Sequence, residues 1–171
     1  STDSTPSLAE EYAENHSNFR YLRHEVNLGL ASACNRGLEA AEGRYFIRLD
    51  ADDTFHNEIL SCCTGPLELE ETDLVYSDRY DITPATGQCE LVQIKTFNIF
   101  NMLAAGSMFR TGLLRELGGY RDLFWEEYDL YLRYLQHSQK PPLRIPRPLY
   151  NYTRHRFSMT ADAARVQDGW E

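Results

Sequence analysis

Basic residues are scarce in this sequence, which has 17 Lys and Arg against 26 Asp and Glu and a formal net charge of −9. Nucleic acids are held by clustered Lys and Arg, so this composition argues against a nucleic-acid partner. No apolar run approaches the roughly 18 residues of a spanning helix, and the first residues do not resemble a signal peptide. We therefore expect a cytoplasmic protein without a transmembrane segment, with peripheral attachment to a membrane left open.

Several functional motifs are also missing. The sequence contains neither Gly-x-Gly-x-x-Gly nor Gly-x-x-x-x-Gly-Lys-Ser/Thr, so the dinucleotide-binding and P-loop classes lack their phosphate cradles. A nucleophile elbow of the Gly-x-Ser-x-Gly type is absent as well. The four cysteines show no metal-type spacing and two are adjacent, which predicts reduced thiols rather than a disulfide framework. They are Cys34, Cys62, Cys63 and Cys89.

The 171 residues, 42% of them hydrophobic, are enough for one globular domain with a core. We expect residues 1–171 to form a single domain, with 161–171 as a mobile tail or the start of a further segment. Periodicity and turn signals predict α/β architecture with a mixed sheet flanked by helices. The predicted helices are 5–13, 30–41, 56–69, 111–117 and 126–137. The predicted strands are 19–24, 44–50, 73–83, 89–94, 105–110 (strand or loop) and 143–152, the last an edge strand interrupted by two prolines.

The stretch 44–53 is the most informative, because an apolar strand runs directly into Asp50, Asp52 and Asp53. Three crowded carboxylates repel one another unless a cation offsets their charge, so the sequence predicts a divalent metal and a phosphate-bearing ligand. A calcium loop is excluded, because its sixth position would be Phe55 instead of Gly and its twelfth Ser61 instead of Glu. Capping of the next helix is the purely structural alternative, but a cap requires only one of the three carboxylates.

A second acidic block opens the predicted helix 126–137. Glu126, Glu127 and Asp129 in a first helical turn are stabilised by the helix dipole, which is the ordinary explanation. The functional alternative is that Glu127, after Trp125, points into a cleft as a general base.

Beyond the last predicted strand, His155 is a candidate metal ligand, and the flanking Arg154 and Arg156 could neutralise phosphate. Solvated surface charge is the competing explanation for all three residues.

Seven short motifs follow one another along the chain: Asn27-x-Gly29, Asn35-x-Gly37, Ala41-x-Gly43-x-Tyr45, Asp50-x-Asp52, Gly118-Gly119-Tyr120, Glu126-Glu127-Tyr128-Asp129-Leu130 and 152–160. In this order they resemble the motifs of the inverting family 2 glycosyltransferases with the GT-A fold. The resemblance covers nearly the whole chain.

The resemblance implies an enzyme that moves a sugar from a nucleotide-diphosphate donor to an acceptor hydroxyl by metal-assisted inverting displacement. By resemblance, Glu127 is the catalytic base, and Mn²⁺ or Mg²⁺ is the cofactor of the Asp-x-Asp motif. The implied metal ligands are Asp50, Asp52 and His155. The implied donor-binding residues are Asp50, Asp52, Asp53, Asn35 and Arg156, and the implied acceptor-side residues are Gly119, Tyr120, Trp125 and Glu126. The acceptor itself, a saccharide, a lipid or a protein, is left open.

The sequence departs from the family pattern at three places. Glu127 stands where the family usually has Asp, Cys34 stands where Arg is common, and the first residues look like the end of an Asp-Asp-Gly-Ser-Thr-Asp segment. The fold is therefore expected to lack its N-terminal strands, leaving a gap of roughly 14 Å in the sheet. A preceding part of the protein or another chain would complete it. A non-catalytic remnant or binding module is the alternative function, and a phosphotransfer or nucleotidyltransferase enzyme is a third.

Overall fold

Both helices and strands are present in the computed structural model, which describes residues 3–156, Ser158 and Gln167. The helices are α1 (Thr5–Asn15), α2 (Gly29–Ala40), α3 (Ile59–Glu68), α4 (Thr111–Glu116) and α5 (Glu126–His137). The strands are β1 (Tyr45–Ile47), β2 (Thr54–Phe55), β3 (Leu74–Thr83), β4 (Gln88–Val92), β5 (Met108–Arg110) and β6 (Leu143–Thr153).

These strands form one mixed sheet in the order β1-β5-β3-β6-β2, and β4 pairs with β3 as a hairpin. The β3 and β6 strands run parallel, whereas the other strand pairs are antiparallel. The predicted α/β class with a mixed sheet is therefore confirmed, as is the hairpin over 73–94.

The sheet has a separate core on each face. Leu74, Tyr76 and Phe109 belong to a cluster with α2, α4 and α5, whereas Val75 and Met108 belong to a cluster with α3. Successive residues of one strand point to opposite faces, so the alternation along β3 and β5 separates the two cores. Helices on both faces thus leave the sheet edges and strand ends available for a site.

The prediction that β6 is an edge strand is wrong, because β6 lies between β3 and β2. Proline lacks the N–H of a ladder hydrogen bond and is usually confined to edges or bulges. Here the register of β6 shifts on β3: Ile145 pairs with Ser77, and the next pair is Pro148 with Asp78. Residues 146–147 are thus left out of the ladder, and a second shift leaves out Leu149 before Tyr150 pairs with Arg79, so irregular pairing on both sides accommodates Pro146 and Pro148 inside the sheet.

The predicted strand 19–24 is also wrong. The segment has no strand assignment and instead follows a turn in which the Phe19 amide donates to the His16 carbonyl at 3.0 Å. A strand needs a neighbour for its backbone groups, and none of the described strands pairs with this segment. Within the described part of the chain, none of the helices combines the length and apolar character that crossing a bilayer requires.

Candidate functional site

The loop between β1 and β2 carries the three predicted aspartates, and Asp53 anchors it. Asp53 is 7% exposed; its carboxylate accepts a hydrogen bond from the Tyr150 hydroxyl and another, at 2.7 Å, from the Thr153 amide. Burial raises the pKa of the Asp53 carboxyl, and these two hydrogen bonds oppose that rise. Asp53 therefore ties the acidic loop to β6 from the inside of the molecule.

The same connection brings Asp52 to His155, although 103 residues separate them in the chain. The β2 and β6 strands pair antiparallel at Thr54 with Asn151, which places the loop that precedes β2 next to the segment that follows β6. The Asp52 Oδ2 atom lies 2.8 Å from the His155 Nε2 atom, and the two side chains are 44% and 35% exposed. A carboxylate and an imidazole thus meet at a position that solvent reaches.

Asp50 has a different environment, because Arg48 occupies both of its carboxylate oxygens. The Arg48 Nε atom donates to one oxygen at 2.7 Å and the Nη2 atom to the other at 3.0 Å. The remaining Arg48 nitrogen, Nη1, donates to Glu126 at 2.9 Å. Burial disfavours the charged guanidinium, yet the Asp50 carboxylate holds the pKa of Arg48 above its ordinary value. One arginine therefore connects the two acidic blocks.

The start of α5 places two carboxyls side by side. Glu126 is buried against Arg48, while Glu127 is partly buried next to it. Burial and then the charge and hydrogen bonding of Glu126 raise the pKa of Glu127 to about 8. Trp125 stacks on the Tyr128 ring at 5.1 Å and forms an aromatic wall at this helix start. A carboxyl with a pKa near the working pH has the proton affinity that a general base requires.

The predicted acceptor-side segment packs against α2. The Asn35 side chain donates to the Tyr120 carbonyl at 2.7 Å and accepts from the Tyr120 amide at 2.8 Å. Gly119 adopts φ +67°, and a Cβ there would lie 2.3 Å from the Asn35 Oδ1 atom. Asn35 therefore holds the Gly-Gly-Tyr turn in place, and the buried Tyr120 ring lies 5.8 Å from the Arg48 guanidinium carbon.

The segment after β6 is fixed by a buried carboxylate. Asp81 accepts hydrogen bonds from Arg154 at 2.5 and 2.9 Å, and the Arg154 amide donates to the Ile82 carbonyl at 2.7 Å. His155 and the exposed Arg156 follow, on the wall of an open cavity of about 550 Å³. A second open cleft, of about 500 Å³, includes Asp50 and Asp52 in its lining.

The residues present fit a divalent cation only in part. Asp52 and His155 offer an oxygen and a nitrogen 2.8 Å apart, which suits two ligands of one cation. Asp50 does not fit in this conformation, because both of its oxygens accept hydrogen bonds from Arg48. Over residues 3–156, no group of three or more His, Cys, Asp and Glu side chains is arranged to hold a metal. Additional ligands would have to come from water or from a diphosphate.

Sequence reasoning missed Arg48 and Tyr150. A signal for Arg48 exists, because a lone basic residue interrupts the apolar run before Asp50 at a spacing of two, which puts both side chains on one face of an extended chain. No comparable signal links Tyr150 to Asp53, since only the pairing of β2 with β6 brings them together.

A mixed sheet with helices on both faces matches the GT-A fold of solved glycosyltransferase structures. The family model described as glycosyl transferase family 2 matches residues 1–124, so this chain belongs to that family. The resemblance drawn from the motifs is thereby confirmed.

Individual relatives agree with this assignment. The EpsH protein of Bacillus subtilis (strain 168), named as a glycosyltransferase, is 34% identical over 98 residues, which are 54% of this chain and 27% of EpsH. The crystal structure of S. aureus TarS 1–349 in complex with UDP-GlcNAc has a TM-score of 0.76 and 19% identity, over 95% of this chain and 50% of that one.

The mannosyltransferase PcManGT from Pyrobaculum calidifontis, in complex with GDP-Man and Mn²⁺, has a TM-score of 0.69 and 18% identity, over 99% of this chain and 50% of that one. At identities this low, the two TM-scores show a shared fold alone. This chain thus spans 50% of the length of either solved structure and 27% of EpsH.

Proposed function

We propose that this chain contributes to a transferase centre that moves a sugar from a nucleotide-diphosphate donor to an acceptor hydroxyl with inversion at the anomeric carbon. The observation that supports this proposal most is the meeting of Asp52 and His155 beside an arginine-linked pair of acidic blocks. It remains a prediction that residues 1–171 form one glycosyltransferase-like domain. Most of the predicted tail 161–171 lies outside the described residues, which do not include 159–166 and 168–171.

In this proposal Glu127 is the base. It takes the proton of the acceptor hydroxyl while the acceptor oxygen bonds to the anomeric carbon, and the bond to the nucleoside diphosphate breaks with its electron pair leaving on the diphosphate. The raised pKa of Glu127 favours proton uptake from a hydroxyl near neutral pH. The buried pair of Glu126 and Arg48 would keep the start of α5 fixed during this transfer.

Asp52 and His155 are the residues that would hold Mn²⁺ or Mg²⁺. When bound, such a cation would neutralise negative charge on the leaving diphosphate. Asp53 would keep Asp52 in place through its hydrogen bonds to β6. Asp50 would contribute to the donor side from the lining of the open cleft, where Arg48 holds its carboxylate. Arg156 would face the donor, and Trp125 the acceptor.

Calorimetry on the full-length protein tests the proposal. We expect heat of binding with one of UDP, GDP and dTDP in the presence of Mn²⁺, and at least about a tenfold loss of Mn²⁺ affinity in Asp52→Ala and His155→Ala. Glu90→Ala, which removes an exposed carboxylate of β4, is the matched control and should bind as the native protein does. Binding that survives both site substitutions, or no heat with any nucleotide, contradicts the proposal.

A further inference from the structure

Arg48 is placed unlike other arginines that make ion pairs in the described chain. Its side chain is 11% exposed, and its three donor nitrogens point at two carboxylates, with two bonds to Asp50 and one to Glu126. The Glu126 side chain is 3% exposed, so its charge is compensated by Arg48 and not by water. The Tyr120 ring lies under the guanidinium. This arrangement joins the end of β1 to the start of α5.

The geometry requires the guanidinium fork. A planar guanidinium binds one carboxylate with two parallel hydrogen bonds and still has a nitrogen for a second partner. A lysine ammonium carries the same charge on one nitrogen and cannot hold both carboxylates in these positions. Charge balance alone does not explain this arrangement, because a single cation faces three carboxyl groups, those of Asp50, Glu126 and the neighbouring Glu127.

We propose that Arg48 is a positioning residue of the transferase centre, which ties Asp50 to Glu126 and, through Glu126, holds Glu127 in place relative to the donor side. This inference rests on the proposed role of Glu127 as the base. In this inference Asp50 orients Arg48, and the relative position of the two acidic blocks depends on the Arg48 side chain alone.

The groups around Glu127 define what the arrangement should do. Glu126 on the same helix raises the proton affinity of Glu127, Arg48 beyond β1 lowers it, and Tyr128 and Tyr131 are neutral phenols nearby. Removing Arg48 leaves the two glutamates without their cation, so the pair should hold its proton to higher pH. Removing the charge of Glu126 should have the opposite effect.

The test measures carboxyl titrations of ¹³C-labelled glutamate by NMR, and the pH profile of transfer, in full-length variants. Arg48→Gln should move the midpoint of Glu127 upward by about one pH unit or more, and Glu126→Gln should move it downward. The double variant should return toward the native midpoint. Arg48→Lys should keep the midpoint closer to native than Arg48→Gln does, yet lower kcat by up to about 100-fold, because the charge is kept and the fork is lost.

Arg144→Gln is the matched control, because Arg144 makes the same two-bond pair with the buried Asp78 in the centre of the sheet. It should lower the melting temperature without moving the Glu127 midpoint. If Arg48→Gln and Arg144→Gln both leave that midpoint unchanged, Arg48 is only a structural ion pair and the inference fails. If the native protein transfers no sugar, the proposed function fails, while the NMR titration still decides whether Arg48 couples the two blocks.

Discussion

Replacing Glu127 by Gln tests the electrostatics of the site without any knowledge of its substrates. The pKa of Glu127 rises from an ordinary 4.5 to about 8, first because burial disfavours the carboxylate and then because Glu126 is adjacent. Between these values the folded chain keeps a proton that the unfolded chain has lost. The free energy of unfolding should therefore fall by about 1.4 kcal/mol per pH unit, on the order of 5 kcal/mol in all.

Glutamine keeps the shape of the side chain and carries no titrating proton, so Glu127→Gln should abolish this fall and be more stable than the native protein near pH 8. Chemical denaturation of both full-length proteins from about pH 5 to about pH 8.5 measures the difference, which should widen as pH rises. Transfer by the native protein should accelerate about tenfold per pH unit up to about pH 8, as the base loses its proton.

The matched control is Glu90→Gln, an exposed glutamate of β4, which should follow the native stability curve at every pH. Parallel curves for the native protein and Glu127→Gln would refute the reasoning, because they would mean that folding leaves the proton affinity of Glu127 unchanged.

Two further substitutions test how the site is supported. Asp53→Asn leaves one acceptor oxygen for two donors, the Tyr150 hydroxyl and the Thr153 amide, and should lower the free energy of unfolding by about 1 to 3 kcal/mol. Thermal denaturation measures this, and an unchanged melting temperature would show that Asp53 is no anchor. Gly119→Ala puts a Cβ 2.3 Å from the Asn35 Oδ1 atom at φ +67° and should cost on the order of 1 to 3 kcal/mol. Its control, Gly112→Ala, has nothing within 4 Å of the new Cβ and should be neutral or slightly stabilising; equal losses in the two variants would contradict the clash.

Local sequence signals predicted the bounds of helices better than the burial and the contacts of their side chains. The bounds of α5 agree with the predicted 126–137, but Leu132 and Leu135 on this helix are about half exposed. Tyr131 and Tyr134 are buried, and their hydroxyls donate to the Leu103 and Lys140 carbonyls at 2.7 and 2.9 Å. A hydropathy pattern ranks leucine above tyrosine and contains no information on such hydrogen-bond partners.

In the candidate site, too, the sequence motifs indicated which residues belong together but not all of their contacts. Motif order indicated that Asp52 and His155 belong to one site, and the structure brings them to 2.8 Å. The pairing of Asp50 with Arg48 was not predicted, because crowded carboxylates suggested an external cation where the chain supplies its own. Asn35 was expected at the donor and is bound to the Tyr120 backbone, a contact over 85 residues that local patterns do not contain.

The short ladder between β2 and β6 has a consequence for how such a chain can vary. Thr54 and Phe55 pair with Asn151 and Tyr150, and these two pairs, together with the hydrogen bonds of Asp53 to β6, fix where Asp52 and His155 meet. Segments that loop out between these strands, away from the cavity wall that carries His155, can lengthen or shorten without changing that meeting point. The connecting segments can therefore differ in length while the chemical groups of the site stay the same. The alignment of the two strand ends, and not the path of the chain between them, builds the site.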